Sequence, residues 1–179
     1  MSAWKVTQIR LVANSLTGVL IVMGVSLVIL LVSTCNMVTS FYAFLSIGGI
    51  ILSNLAALKL IGWDMGVTEA MTIVVFIGFA IDYVVHLANH YVGALSPSRG
   101  KRMSEAYGEI GVSILGGAIT TIASGLLLVF AQFTLFIKFA VLIILTIGFS
   151  VLFALFFFGS LSHLIGPEGE CGNMLKMMA

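Results

Sequence analysis

The sequence is poor in charged residues. Of its 179 residues only 8% are Asp, Glu, Lys or Arg, while 60% are hydrophobic. An ordinary soluble domain carries about 25% charged residues. So few charges cannot cover a water-facing surface, which excludes a soluble globular domain and indicates that lipid is the main solvent. The net charge is +1 and no basic stripe is present, so a nucleic-acid partner is not expected.

Cysteine and proline are also scarce, with two residues of each in the chain. Cys35 and Cys171 are far apart and both lie near predicted helix ends, so neither a disulfide framework nor a metal-ligand spacing follows from them. We interpret both as free thiols, with acylation of Cys171 beside the membrane as the alternative.

Five long apolar runs fill most of the chain. A membrane-spanning helix needs about 20 mostly apolar residues, and open strands would leave backbone groups unsatisfied in hydrocarbon. The first run exceeds the core of a signal peptide, about 7–15 residues, so we expect it to remain and span. The sequence therefore predicts an all-α membrane protein, a five-helix transmembrane bundle over residues 11–165. The helices are expected at residues 11–32, 37–61, 67–92, 104–131 and 133–165, between a flank at 1–10 and a tail at 166–179.

Basic residues in short loops predict the orientation. Arg99, Lys101 and Arg102 place the loop 93–102 and the C-terminus in the cytoplasm, with the N-terminus opposite. Four basic residues fall on the outer side and oppose this assignment: Lys5, Arg10, Lys59 and Lys138. The expected location is a multi-pass position in the plasma membrane or an endomembrane.

The third run carries a carboxyl group. A helix that begins near residue 67 places Asp82 about 22 Å along its axis, inside the hydrocarbon core. A charge there costs at least about 2.5–3.5 kcal/mol, so such groups face a bundle interior and are paired. We therefore expect Asp82 to be buried, and either protonated or bound to a cation. A site that alternates between these two states is a proton or cation coupling site.

The neighbours of Asp82 follow at helical spacing. Gly78 lies one turn before it on the same face and His86 one turn after, and imidazole titrates near physiological pH. Asn89 and His90 extend this face and form the expected exit of a relay, with a purely interfacial position near the helix end as the alternative for His90. The alternative is a buried structural hydrogen bond between Asp82 and a histidine. His86 and His90 also have the spacing of a helical metal pair, but no third ligand is evident and no metal is expected.

Small residues recur every four positions in the fourth run, which lets membrane helices approach closely. We interpret Gly116 and Gly117 as packing positions. Packing and a hydrogen bond to the buried carboxyl group explain Thr120 and Thr121 equally well. The phenylalanines between residues 149 and 158 predict lipid contact, with a sterol or lipid groove as the alternative.

The third run also resembles a known family. Gly-Phe-Ala-Ile-Asp from Gly78 to Asp82, followed by Tyr83 and His86, resembles the GxxxD motif in the tenth transmembrane helix of the Dispatched, Patched and Niemann-Pick type C branch of the RND superfamily. The resemblance continues through residues 106–121, 133–139 and 165–167, so it covers roughly residues 63–169. The first two runs agree with the family only in length and order.

The resemblance implies a transporter of lipids, sterols or lipid-modified molecules that is driven by protons or sodium ions. Asp82 would be the coupling carboxylate, with Tyr83, His86, Thr120 and Thr121 around it. The family has twelve helices in two halves, each with a large extracellular domain, and this chain resembles only the last five helices. A missing transporter half or other membrane subunits are therefore expected partners, besides membrane lipid.

The predicted function is that of a half-bundle that contributes an ion-coupling site to such a transporter. The alternatives are a sterol-sensing or scaffolding module without transport, and an accessory subunit of a larger membrane complex. An enzyme is not expected, because no nucleophile–base or metal constellation is visible. Apart from a bound proton or sodium ion, or a sterol or lipid, no cofactor is expected.

Overall fold

The computed structural model describes residues 3–63, 67–94 and 96–167, and every regular element in these ranges is helical. This confirms the predicted all-α membrane bundle. Most of the expected tail, with Cys171, lies outside the described residues. Five helical rods follow one another along the chain. The first three rods are α1 (Ala3–Thr34), α2 (Met37–Ile61) and α3 (Val67–Gly93). The fourth rod consists of three consecutive segments: α4 (Arg99–Ala106), a π-helical turn (Tyr107–Gly111) and α5 (Val112–Val129). The fifth rod is built in the same way from α6 (Thr134–Leu152), a π-helical turn (Phe153–Phe158) and α7 (Gly159–Ile165).

The fourth rod begins at Arg99 rather than near residue 104. Ser98 has extended backbone angles after Pro97 and precedes the first helical residue, so the basic stretch forms the first turn of the helix instead of a loop. The sequence predicted a later start because residues 93–102 are polar and charged, which is typical of a loop.

The turn between α1 and α2 is built from polar side chains. The Asn36 side-chain oxygen accepts from the backbone N–H groups of Val38 and Thr39, both at 3.1 Å, and so caps α2. Thr34 and Ser40 are joined by a buried hydroxyl–hydroxyl hydrogen bond of 2.8 Å. At its other end α2 stops at Gly62, whose φ of 77° is left-handed.

Four of the described helical rods are long and apolar enough to cross a membrane: Leu16–Thr34, Met37–Ile61, Arg99–Val129 and Thr134–Ile165. At 27 residues α3 is about 40 Å long and also has the necessary length. Large apolar side chains cover the outside, among them Leu60 at 88% exposure and Phe130 at 85%. A surface of this kind is suited to lipid contact.

The core lies where α1, α2, α3 and α6 meet. Ile47 and Ile50 of α2 and Val84 and Leu87 of α3 are fully buried there. A polar link crosses the same core, since the buried Thr146 hydroxyl donates to the Asn54 side-chain oxygen at 2.9 Å. These contacts bury one side of α3 and leave residues on its other side exposed.

Two π-helical turns face each other at one end of the bundle. The Tyr107 hydroxyl, in the turn before α5, donates to the Leu155 carbonyl in the turn before α7. Gly159 lets the Tyr107 hydroxyl approach this closely, because a Cβ at that position would overlap it. The fourth and fifth rods are therefore fastened together where both depart from α-helical geometry.

Candidate functional site

The side chains of α3 divide into a packed face and an open face. Val84, Leu87, Ala88 and Tyr91 are fully buried against the other helices. Asp82 and His86 are one turn apart on the opposite side, and both are exposed. Asp82 and His86 are exposed because of helical spacing, since the buried positions lie on the face of α3 that packs against the other helices.

The five helices do not bury Asp82, in contrast to the expectation from the sequence. Its carboxylate makes no hydrogen bond or ion pair within the parts of the chain that the structure describes. Gly78, one turn earlier, is also exposed, and a Cβ there would meet no atom within 4 Å. The physical reason is that α1, α2 and α6 pack on the opposite side of α3. No described element covers the side that carries Asp82.

Tyr83 turns away from Asp82 towards α5. Its phenol lies beside the Thr121 side chain, and a Cβ on Gly117 would lie 3.7 Å from the phenol oxygen. The Thr121 hydroxyl also donates to the Gly117 carbonyl at 2.8 Å. Gly117 and Thr121 thus form the surface against which Tyr83 packs, in agreement with the small-residue pattern.

Thr120 and Gly116 lie apart from this contact. The Thr120 hydroxyl donates to the Gly117 carbonyl of its own helix at 2.9 Å, and its side chain is exposed. A Cβ on Gly116 would have no atom within 4 Å. The structure therefore brings Thr121 to Tyr83, and it brings neither threonine to Asp82.

The expected relay exit divides between two neighbours. The Asn89 side-chain oxygen accepts from the Ser33 hydroxyl of α1 at 2.6 Å. His90 Nδ1 lies 2.8 Å from a carboxylate oxygen of Glu109, which belongs to the π-helical turn before α5. Sequence reasoning missed both partners. The available signal for Glu109 was its position at the polar start of the fourth rod, level with the end of α3.

The chemistry of the site follows from its groups. A carboxylate, an imidazole and a phenol occur within two turns of one helix at Asp82, Tyr83 and His86. Among the described residues no three His, Cys, Asp or Glu side chains are grouped so that they could hold a metal ion. The arrangement suits the transfer of protons or the binding of one cation at the carboxylate.

Comparison with known proteins adds the family. No family model matches the chain. Protein dispatched homolog 1 of Mus musculus is 32% identical over 161 residues, which is 88% of this chain and 11% of that protein. The chain belongs to the Dispatched branch of the RND superfamily. It is also 28% identical to protein dispatched homolog 2 of Homo sapiens, over 87% of this chain and 11% of that protein. Its identity to protein dispatched homolog 3 of Gallus gallus is 27%, over 92% of this chain and 13% of that protein.

The extent of these matches bears on the site. They cover at least 87% of this Dispatched-related chain, so they necessarily include the middle of α3 with Asp82. The chain spans only about a tenth of the length of these relatives, 11–13%. Its membership and its apolar helices identify it as an integral membrane protein.

Proposed function

We propose that this Dispatched-family chain corresponds to the last five helices of an RND-type transporter and contributes its ion-coupling site. The transporter would move lipids, sterols or lipid-modified molecules at the expense of a proton or sodium gradient. The observation that carries the proposal is the open face of α3, where Asp82 and His86 are exposed on a helix long enough to cross the membrane.

The exposure of Asp82 is energetically unfavourable in a membrane. A carboxylate facing hydrocarbon costs at least about 2.5–3.5 kcal/mol, and Asp82 has no partner among the described residues that would offset it. A second helical half that packs on this face would remove the carboxylate from lipid and could supply its partner. The open face of α3 would then be one half of a site that forms where two helical bundles meet.

The proposed coupling step uses the groups on α3 in order. Asp82 alternates between a protonated state and a cation-bound state. His86, one turn along, exchanges protons with it through water or the second half. Tyr83, the next residue along α3, packs against α5 at Gly117. Asn89 and the His90–Glu109 pair continue this polar line towards the end of α3. Both states of Asp82 satisfy the demand for low net charge inside the membrane.

The deciding experiment is Asp82→Asn in the complete assembly, reconstituted into vesicles with a proton or sodium gradient. Gradient-driven transport of a lipid-modified cargo should fall to the background rate, because an amide neither titrates nor binds a cation as a carboxylate does. Glu105→Gln is the matched control, since it removes an acidic group outside the site, and its transport should stay within about twofold of wild type. Full activity in Asp82→Asn with correct assembly would refute the proposal.

A second candidate function is a sterol-sensing or scaffolding module, or an accessory subunit, without transport. An exposed apolar groove beside Phe156 and Phe157 favours it. Sterol binding that survives Asp82→Asn and does not depend on any ion gradient would support this candidate. The mass and composition of the detergent-solubilised particle would show whether a second half or other subunits accompany the chain.

A further inference from the structure

The link between α3 and α4 contains a serine that is followed by a proline. Residues 96–99 read Ser-Pro-Ser-Arg, and Pro97 is the only proline of the chain that follows a serine. Proline-directed serine kinases require proline directly after the acceptor, and many of them prefer a basic residue three positions after it. Arg99 occupies that position relative to Ser96. Pro97 and Ser98 are exposed and Ser96 is partly exposed, and these three residues lie outside the helices.

The link lies where a water-soluble enzyme can reach it. α5 has 18 residues and is about 27 Å long, close to the thickness of the hydrocarbon core, about 30 Å. α4 and the π-helical turn before α5 add 8 and 5 residues, so the start of α4 lies about 20 Å beyond α5. In the expected orientation this side is the cytoplasm, which supplies ATP and kinases.

The first turn of α4 is intrinsically weak. It reads Arg-Gly-Lys-Arg and contains no acidic residue, so its positive charges are opposed by the helix dipole. Among the described residues, Ser98 at the N-cap position makes no side-chain capping bond, and Gly100 is a poor helix former. The Arg99 side chain donates to the Leu164 carbonyl, a bond that a kinase has to replace. A weak first turn allows residues 96–99 to become extended in the active site of a kinase.

Two hydrogen bonds from α4 meet at Ser96. The Ser96 hydroxyl donates to a carboxylate oxygen of Glu105, and the Ser96 carbonyl accepts from Nε of Arg102 at 2.7 Å. Because Glu105 is exposed, water can take the place of the hydroxyl. A carboxylate and a guanidinium therefore both lie beside Ser96, and a phosphate on this residue would act on them in opposite ways.

We propose that Ser96 is phosphorylated by a proline-directed serine kinase, and that the phosphate moves the link from Glu105 to Arg102. The γ-phosphoryl group of MgATP passes to Ser96 Oγ: the Oγ–P bond forms, and the bond from the γ-phosphorus to the β–γ bridging oxygen breaks. The hydroxyl proton goes to the base of the kinase, and ADP leaves. Phosphoserine carries a charge of about −1.5 to −2 at pH 7. It cannot donate to Glu105 and repels it, whereas a guanidinium binds phosphate strongly.

The modification changes the stability of the start of α4. A phosphate two residues before the N-cap offsets the positive charges of the first turn and interacts favourably with the helix dipole. The first turn should therefore open less often in the phosphorylated chain. This proposal goes beyond the coupling site and is measured without transport, so its failure leaves the proposed function unaffected.

The acceptor is tested with the purified chain in detergent micelles, MgATP and a cyclin-dependent kinase as the proline-directed probe. Peptide mass spectrometry should find a single phosphate, at Ser96. Pro97→Ala and Arg99→Gln should each lower kcat/KM at least about tenfold, the scale of a lost recognition contact. Ser98→Ala is the matched control, because it removes the other serine of the link and leaves the motif intact, so its kcat/KM should stay within about twofold. Circular dichroism establishes that each variant is folded.

Amide hydrogen exchange measures the consequence for α4. The N–H groups of residues 102–106 report on the first turn, since the N–H of Arg102 bonds to the Ser98 carbonyl at 3.0 Å. Their exchange should be slower in the phosphorylated chain, and Arg102→Gln should reduce this difference. In intact cells, the peptide with phosphorylated Ser96 should be recovered and should disappear when these kinases are inhibited. A phosphate at Ser98 instead of Ser96, an unchanged kcat/KM in Pro97→Ala, equal exchange in the two forms, or absence of the modified peptide from cells would each overturn the proposal.

Discussion

Cys35 connects α1 to α2 with a φ of 47°, in the left-handed region where glycine is favoured. A non-glycine residue held in this region costs about 1–3 kcal/mol of stability. Glycine removes this strain, but it also gives the unfolded chain more conformational freedom, which offsets part of the gain. We therefore expect Cys35→Gly to raise the free energy of unfolding by up to about 1 kcal/mol. The substitution also removes a weak hydrogen bond from the thiol to the Val32 carbonyl, at 3.3 Å.

Denaturation in mixed micelles measures this effect, with Gly62→Ala as the opposite case. Gly62 has a φ of 77° and nothing within 4 Å of a Cβ, so alanine there is strained by its backbone alone and should destabilise by about 1–2 kcal/mol. A Cys35→Gly variant that is less stable than wild type would mean that the thiol contributes more than the backbone strain costs.

At the scale of elements, the five helices were predictable because each apolar run is long enough to cross a membrane and polar residues separate the runs. The contact between Tyr83 and Thr121 was partly predictable, since the four-residue pattern of small side chains marked the right face of α5. Two features were not. The π-helical turns depend on tertiary contacts such as that between Tyr107 and Leu155, and the exposure of Asp82 depends on which side of α3 the other helices occupy.

The joint between the two π-helical turns is itself testable. Gly159→Ala would press a methyl group against the Tyr107 hydroxyl, and overpacking of this kind typically costs about 1–3 kcal/mol. Tyr107→Phe removes the hydroxyl and its hydrogen bond to Leu155, so adding it to Gly159→Ala should recover part of that loss. The result would appear as a favourable coupling energy in a double-mutant cycle.

Gly148→Ala serves as the reference for this cycle, because a Cβ at Gly148 has no atom within 4 Å. It should be neutral or slightly stabilising, as alanine is the better helix former. Additive effects of Gly159→Ala and Tyr107→Phe would show that the two π-helical turns do not depend on this contact.

For the whole molecule, the open face of α3 and the predicted orientation determine how a coupling site would work. The His90–Glu109 pair and the basic turn of α4 lie at the same end of the bundle. If that end is cytoplasmic, ions leaving Asp82 along α3 enter the cytoplasm, which is the direction in which an inward gradient can perform work. The orientation therefore decides whether these residues form the exit or the entrance of the proposed relay.

Labelling of single cysteines tests the orientation in intact cells. Ser98 and Gln132 are both exposed, and they lie at opposite ends of the fourth rod, before α4 and after α5. With Cys35 and Cys171 replaced by serine, Gln132→Cys should react with a membrane-impermeant maleimide, and Ser98→Cys should react only after permeabilisation. The reverse pattern would place the His90–Glu109 end outside. Ions entering there would then reach Asp82 first, so the same residues would form the entrance of the relay and its exit would have to lie in the covering half.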